Sequence, residues 1–383
     1  MKKLLLLTTV LSVVSVSASA HAAPITKDNW DFTASGLMGG YYGISETKKQ
    51  YAVNSMPNRW VYRTDALFGA NYHFSPDHQL GIFGNFTLVY REHDKDYRDG
   101  DWRFYPFVTD KSKYGDITVG YVYGAAHELH KGAKEITFFG IDDTNMTYYL
   151  SNPNWGNGKH SVKFATPKST AIMNDGRAAK IKYISPEIGN TKFGFSYTPK
   201  NENRRGLVSR YAHYELEEDG YTAAMQNRWE LPDNSTLYTS MGYGIFNRTD
   251  NEMSFGITWV KDNFNIAAGY KNAWIKGNKN PITYKAKSSY LPALFDNYRE
   301  SNAYNVSMGY QFENFKTNLA YLHTEASNTR NSDDLYIWSN VYSANKYIDL
   351  FLVGAYLNAK GVEKYADDNS KGYAVVTGIG LKF

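Results

Sequence analysis

Apolar and polar residues alternate with a period of two along most of this chain, which is the pattern of β-strands with one apolar face. Residues 59–74 show the alternation most clearly. Trp60 and Tyr72 fall on the apolar face of this stretch, whereas Arg59 and Arg63 fall on the other face. The pattern predicts an extended strand whose two faces meet different environments.

The same alternation recurs often enough to predict about sixteen strands. They are expected at residues 30–42, 59–74, 79–92, 102–109, 116–123, 179–185, 191–198, 221–231, 236–247, 253–261, 264–274, 303–312, 316–324, 335–344, 348–359 and 373–383. Every second connection is a short turn with Pro, Asp or Asn, and the intervening ones are longer and polar. The strands at 335–344 and 348–359 alternate poorly, so either their register differs or they face a protein neighbour.

The last eleven residues, 373–383, alternate up to a C-terminal aromatic residue, Phe383. Chain termini of soluble proteins usually fray into water, so this ending favours a strand that closes a barrel in a lipid bilayer. We expect it to pair with the strand at 30–42, with Gly378, Gly380 and Lys382 facing water. The alternative is an amphipathic edge strand of a soluble β-sandwich.

A sheet of about sixteen strands with one apolar face is predicted to close into a membrane barrel, because closure pairs every edge amide. At this strand number side chains do not fill the lumen, so water does, and the barrel is a pore. The mean hydropathy of −0.53 and the 16% aromatic content of the 383 residues suit such a barrel. The formal charge of +4 gives no support to a nucleic-acid partner.

The N-terminus has the layout of a secretory signal peptide, with Lys2 and Lys3 before an apolar stretch and then small residues. We predict cleavage after Ala22, so that residues 1–22 are the signal and 23–383 form the barrel domain. A retained signal anchor is the alternative. The chain contains no Cys, so an exported product is held together by its core or closed sheet, not by disulfides.

Two local motifs, together with the alternation, the signal and Phe383, resemble the trimeric general porins of Gram-negative bacteria. One motif is the segment 176–197, with its Ser-Pro turn and Gly-aromatic strand, and the other is the segment 115–121. The resemblance implies an all-β transmembrane antiparallel barrel of about sixteen strands, with a long third loop folded into the pore. It further implies a homotrimer in the cell outer membrane, in contact with lipid, that passes ions and small hydrophilic solutes without a cofactor.

The connection that corresponds to the third loop, about residues 124–175, is far longer than an ordinary loop and is rich in aromatic residues. An ordered cap outside the barrel mouth is the alternative to an inward fold. By the resemblance, a basic wall faces loop carboxylates across the constriction. The wall candidates, all on the predicted lumen face, are Arg59, Arg63, Arg91 and Arg103, and the loop candidates are Glu128, Glu135, Asp142 and Asp143. Alternatively the arginines only satisfy a hydrated interior, and any of the loop acids is solvated outside.

Enzymatic and metal chemistry find little support in the sequence. There is no Gly-x-Ser-x-Gly motif, and His127, Glu128 and His130 lack the i, i+4 histidine pair of a zincin helix. The sequence therefore predicts a porin for passive diffusion, with no catalytic residue and no metal. Two alternatives stay open, a substrate-selective sugar channel with an aromatic track and a non-conducting barrel that acts as an adhesin or surface-structural protein.

Overall fold

The computed structural model of the chain describes most of the barrel and part of its loops. The described residues are 25–27, 29–48, 58–91, 101–133, 135–141, 145–150, 152, 154, 169–172, 175–199, 219–246, 250–275, 300–326, 330–361 and 369–383. The predicted signal, residues 1–22, lies outside them. Among the described residues, no helix has the length and apolar character needed to cross a membrane.

Sixteen long strands and one short N-terminal strand form a single antiparallel sheet. They are β1 (Ile25–Lys27), β2 (Trp30–Lys48), β3 (Asn58–Ser75), β4 (His78–Arg91), β5 (Asp101–Ser112), β6 (Gly115–Val122), β7 (Ala178–Ile184), β8 (Thr191–Thr198), β9 (Gly220–Glu230), β10 (Thr236–Phe246), β11 (Asp250–Lys261), β12 (Phe264–Ile275), β13 (Glu300–Phe312), β14 (Phe315–Ala326), β15 (Asn331–Asn345), β16 (Ile348–Lys360) and β17 (Ser370–Lys382). Each long strand pairs with its sequence neighbours, and β1 pairs with the start of β2.

The sheet closes because β17 pairs with β2, from Lys371 opposite Lys48 to Lys382 opposite Leu37. Phe383 extends this ladder, since its amide and carbonyl both bond to Gly36. The predicted closed barrel of about sixteen strands is thus confirmed, and with it the pairing of the last strand with the first long one. The soluble-sandwich alternative is wrong.

Side chains on the long strands alternate between an exposed outer face and the lumen. The aromatic residues predicted to point outward do so: Trp60, Phe68, Tyr373 and others are among the exposed large apolar side chains. Such a face is stable in the water-free lipid core, because the backbone amides and carbonyls of neighbouring strands pair with each other around the barrel. Alternate residues therefore face the lumen, among them Arg63 on β3.

Short turns join the strands at one rim of the barrel. The turns between β11 and β12 and between β13 and β14 have two residues each, and Asp262 and Glu313 adopt positive φ values of 49° and 47° there. The opposite rim carries the longer connections, with two exceptions. Only three residues separate β10 from β11, and four separate β14 from β15, so the predicted asymmetry between the two rims is not uniform.

The apolar core of the protein lies inside the barrel. It forms between the connection from β6 to β7, hereafter L3 (residues 123–177), and the inner faces of β2 and β13–β17. The expectation that the inner face of β17 meets water is therefore wrong along most of the strand. Tyr41 lies over Gly378, and Leu37 and Phe351 lie over Gly380, at distances that leave no room for a side chain.

Candidate pore constriction

L3 begins with one helical turn, α1 (Ala125–Glu128), which lies against the inner wall formed by β7–β10. The amide of Ala125 donates to Ser196 Oγ at 2.5 Å. Gly194 permits this approach, because a Cβ there would lie 2.7 Å from the Cβ of Ala125. The start of L3 is thus held against the wall by a hydrogen bond to Ser196, and Gly194 leaves the space for this contact.

The two ends of L3 are joined by Asp175. Its carboxylate accepts hydrogen bonds from the Ala126 amide at 2.9 Å, Thr222 Oγ1 at 3.1 Å and Lys180 Nζ at 3.0 Å. The Gly124 amide donates to the Asp175 carbonyl at 2.8 Å. Both side chains of the Asp175–Lys180 ion pair are 0% exposed. A buried charge pair with this many partners fixes where L3 leaves and rejoins the wall.

Between its ends, L3 crosses the lumen wall on short polar side chains. The Lys131 amide donates to Ser240 Oγ of β10 at 2.8 Å, and the Ala133 amide donates to Asn305 Oδ1 of β13 at 3.1 Å. Gly256 of β11 lets the loop backbone approach closely, because a Cβ there would lie 2.2 Å from the Lys131 carbonyl oxygen. Small inner-face residues therefore leave space for the loop backbone, and polar ones bind it through hydrogen bonds.

The middle of L3 is apolar and packs against β2 and β13–β17. Phe139 makes an edge-on ring contact with Tyr41 at 5.1 Å, and the Tyr149 hydroxyl donates to the Tyr41 carbonyl at 3.4 Å. Gly43 accommodates the Tyr149 ring, which would lie 2.2 Å from a Cβ at that position. The inward fold of L3 is confirmed by these contacts, and the alternative of an external cap is wrong.

The four arginines predicted for the basic wall lie on the lumen face of β3, β4 and β5. Arg63 lies opposite Val89, Arg91 opposite Val61, and Arg103 opposite Thr87, all on one inner surface. Arg59 lies opposite Gly43 and is 5% exposed, beneath the part of L3 that holds Tyr149. The structure thus brings together Arg63, Arg91 and Arg103 and places Arg59 in a more enclosed position.

Two of these arginines stack on aromatic rings of L3. The guanidinium carbon of Arg63 lies 4.1 Å from the centroid of the Phe138 ring, and that of Arg91 lies 5.0 Å from the Tyr148 ring. Arg63 also forms an ion pair with Asp65, whose other oxygen accepts from Thr87 Oγ1 at 2.8 Å. Such cation–π contacts hold the guanidinium over the ring and leave its charge in the lumen.

Sequence reasoning missed two charged residues of this surface. Arg177 at the end of L3 lies between the rings of Tyr105 and Tyr123, at 4.9 Å from each, and donates to Asn85 at 3.3 Å. Arg177 is the second residue of the segment 176–197 that resembles the porin motif. However, its position in the sequence did not indicate that its side chain faces the lumen. Asp65 was detectable by alternation, because it shares a strand face with Arg63.

The predicted loop acids are dispersed. Glu128 forms an ion pair with Lys182 of β7 and is 49% exposed, away from the arginines. Glu135 lines a cavity that Arg63 also lines. Asp142 and Asp143 lie outside the described residues. Within the described part of L3, the loop therefore presents rings to Arg63 and Arg91, with Glu135 in the same cavity as Arg63.

A half-buried histidine, His130, lies where L3 meets β12 and β13. Burial lowers the pKa of His130 to about 3, and the nearby charges of His127, Lys271 and Lys131 act in the same direction. Its Nε2 lies 3.0 Å from Thr170 Oγ1 at the other end of L3. Among the described residues no group of three or more His, Asp or Glu side chains is placed to hold a metal ion.

Comparison with known proteins gives consistent results. A family model described as Gram-negative porin matches residues 8–362. The structure is similar to OmpF of Salmonella typhi in complex with daunomycin, with 15% identity, a TM-score of 0.59, and coverage of 94% of this chain and 100% of that one. It is also similar to OmpT of Vibrio cholerae in its trimer form, at 14% identity and a TM-score of 0.58, with coverage of 93% and 100%.

A third similar structure is an anion-selective porin from Comamonas acidovorans, at 12% identity and a TM-score of 0.57, with coverage of 92% of this chain and 100% of that one. At these identities the likeness concerns the fold. A comparison with curated proteins found no match.

Proposed function

The chain belongs to the Gram-negative porin family, and we propose that its constriction gives this outer-membrane channel a preference for small anions. The family and the closed barrel are those of a channel for passive diffusion of small solutes. The observation that carries the proposal is the stacking of Arg63 and Arg91 on rings of L3, with a lumen surface that also holds Arg103 and Arg177.

Guanidinium groups keep their charge at any relevant pH, and a cluster of them on one wall raises the local concentration of anions. Asp65 offsets part of this charge through its ion pair with Arg63. A loop carboxylate opposes the preference, and Glu135 lines the same cavity as Arg63, but the L3 side chains that lie against Arg63 and Arg91 are the rings of Phe138 and Tyr148.

The test is ion selectivity of the reconstituted channel. Each unit charge about 6 Å from a permeating ion is worth roughly 0.7 kcal/mol in water before screening by salt. Neutralising two arginines in the variant Arg63→Gln/Arg91→Gln should therefore lower the chloride-to-potassium permeability ratio by roughly tenfold. The measurement is the reversal potential in a KCl gradient across a planar bilayer.

The matched control is Arg228→Gln, because Arg228 faces the lumen from β9 near the short-turn rim and is paired with Glu230. This control should leave the ratio within about twofold, since a paired and exposed charge contributes little. A wild-type channel without anion preference, or a double variant with the wild-type ratio, contradicts the proposed role of these arginines.

The sugar-selective alternative has less support. Rings do meet in the lumen, since Phe138 contacts both Tyr41 and Tyr148 at 5.9 Å between centroids. However, Arg63 covers Phe138, Arg91 lies over Tyr148, and Tyr41 is fully buried. A sliding sugar requires open ring faces, so these rings favour a charged constriction over a sugar track.

We also propose that the channel assembles as a homotrimer after cleavage of a signal peptide at Ala22. The OmpT neighbour was solved in a trimer form, and β2 and β3 carry several small outward-facing residues over which another barrel wall can pack. They include Ala34, Gly36, Gly40, Ala66 and Ala70. Mass measurement of the detergent-solubilised protein and N-terminal sequencing test these two proposals separately.

A further inference from the structure

A cavity of about 390 Å³ lies in the lumen directly beneath L3, on the side of the short turns. Residues 135–138 of L3 form its roof, and inner-face residues of β2, β3 and β12–β17 form its walls. This cavity, hereafter the L3 recess, has the size of a pocket for a small molecule. A solute that passes the constriction enters it next.

The L3 recess is lined by charges of both signs in equal number. Its cations are Arg63, Lys316 and Lys382, and its anions are Asp65, Glu135 and Asp349. Arg63 pairs with Asp65, and Lys382 pairs with Asp349 at 2.7 Å. Lys316 is half-buried and forms no ion pair with any described residue, which distinguishes it from the other two cations.

Two further features of the lining concern hydrogen bonding and shape. Asn265 Oδ1 is a buried acceptor without a hydrogen-bond partner among the described residues. A buried acceptor has already lost its hydrogen bonds to water, so a hydrogen bond from a ligand donor stabilises the complex without a further desolvation cost for the acceptor. Leu37, Phe138 and Val341 add an apolar surface to the same recess.

We propose that the L3 recess binds small zwitterions with an apolar body, of the kind of a free amino acid with a branched aliphatic side chain. A carboxylate binds Lys316, an ammonium group donates to Asn265 Oδ1, and the apolar body lies against Leu37 and Val341. A simple anion or a simple cation meets as many like charges as opposite ones there. The inference rests on the proposed function, since the recess is reached through the conducting lumen.

Occupancy of the recess changes what the channel does. A bound zwitterion fills part of the ion path just below the constriction, so it lowers the ionic current while it stays. A site of moderate affinity inside a channel also raises the flux of its ligand at low external concentration, because entry becomes the more favourable step. The recess thus gives a general pore a preference for one solute class.

The experiment compares three solutes of one shape in single-channel recordings in KCl. They are leucine, which is a zwitterion at neutral pH, leucinamide, which is a cation, and N-acetylleucine, which is an anion. Leucine is expected to reduce the current at concentrations roughly tenfold lower than either analogue. Sucrose controls for simple volume exclusion.

Two variants and one control locate the site. Lys316→Gln and Asn265→Leu should each weaken the leucine effect, Lys316→Gln by roughly tenfold to a hundredfold, as expected for a lost charge-assisted hydrogen bond. Lys192→Gln should leave it within about twofold, because Lys192 faces the lumen from β8 but does not line the recess. The use of two substitutions on different strands guards against a local folding defect in either one.

The outcomes separate this inference from the proposed function. Equal block by leucine, sucrose and both analogues overturns it, as does stronger block by N-acetylleucine, and both results leave the channel itself intact. Leucine block that persists in Lys316→Gln and Asn265→Leu also overturns it. An absence of KCl conductance in the wild type refutes the channel assignment instead.

Discussion

Replacing Asp175 by alanine should release L3 from the barrel wall. The substitution removes the buried carboxylate that accepts from Ala126, Thr222 and Lys180, and it leaves the ammonium group of Lys180 buried. Loss of one partner of a buried ion pair costs roughly 3–5 kcal/mol. The carbonyls of residue 175 and Gly176 still accept from Lys180, so the lower end of that range applies.

A loss of about 3 kcal/mol raises the population of the detached loop by roughly a hundredfold. Proteolysis that is slow relative to reclosure follows this population, so trypsin should cleave Asp175→Ala within L3 about a hundred times faster than the wild type. The barrel ladders are untouched, so the cut protein should keep its strands. Single-channel recordings should show added current noise from the moving loop.

Two further variants make the result interpretable. The double variant Asp175→Asn/Lys180→Met removes both charges and should recover most of the protease resistance, because no unpaired charge is left. Asp233→Asn alters an exposed turn aspartate that pairs with Lys261 and should match the wild type. If Asp175→Ala is as resistant and as quiet as the wild type, Asp175 does not hold L3.

Three other substitutions or deletions test separate parts of the structure. Gly256→Ala should displace L3 and alter the conductance, because its Cβ would meet the Lys131 carbonyl at 2.2 Å, whereas Gly354→Ala meets its nearest neighbour at 3.8 Å and should be neutral; conductance histograms compare the two. Deletion of Phe383 removes the last rung of the barrel seam and should reduce assembly in the outer membrane, measured as the heat-modifiable fraction in membrane extracts; full assembly would contradict its role as a closing residue. His130 has a lowered pKa, so its contribution to L3 docking is complete above about 6.5, falls as the pH drops and is lost below about 3. His130→Asn should flatten the dependence of protease resistance on pH in that window, and an unchanged pH profile would contradict this assignment.

The sequence alone could predict the barrel because its strands obey one local rule. Lipid outside and water inside impose a period of two on every strand that meets both, as Trp60 and Arg63 show on β3. The rule fails at β15 and β16, where alternation is weak. Leu335 and Val353 face inward there and are buried under L3, so both faces of these strands are apolar for different reasons. This exception depends on the contacts with L3, which the alternation within β15 and β16 does not reveal.

The constriction was less predictable than the wall. Alternation put Arg63 and Arg91 on the lumen face, but it gives no register for an irregular loop. Which L3 side chains meet these arginines depends on the path of some fifty residues, and Phe138 and Tyr148 reach them because anchors elsewhere fix that path. A family resemblance supplied the expectation of facing carboxylates, and it has no means of indicating that the rings of Phe138 and Tyr148 also meet the arginines.

The attachments of L3 divide into two physical kinds, and the division explains how one loop is both firmly and specifically placed. The apolar middle, including Phe139 and Ile141, gains stability from burial out of lumen water, roughly 1.5–3 kcal/mol for each large side chain. Such burial is not directional and tolerates sliding. The polar ends at Asp175 and Ser196 contribute less net energy, but an unmet buried charge or amide makes every shifted position costly. The burial therefore keeps L3 inside the barrel, and the polar ends determine that Phe138 lies under Arg63.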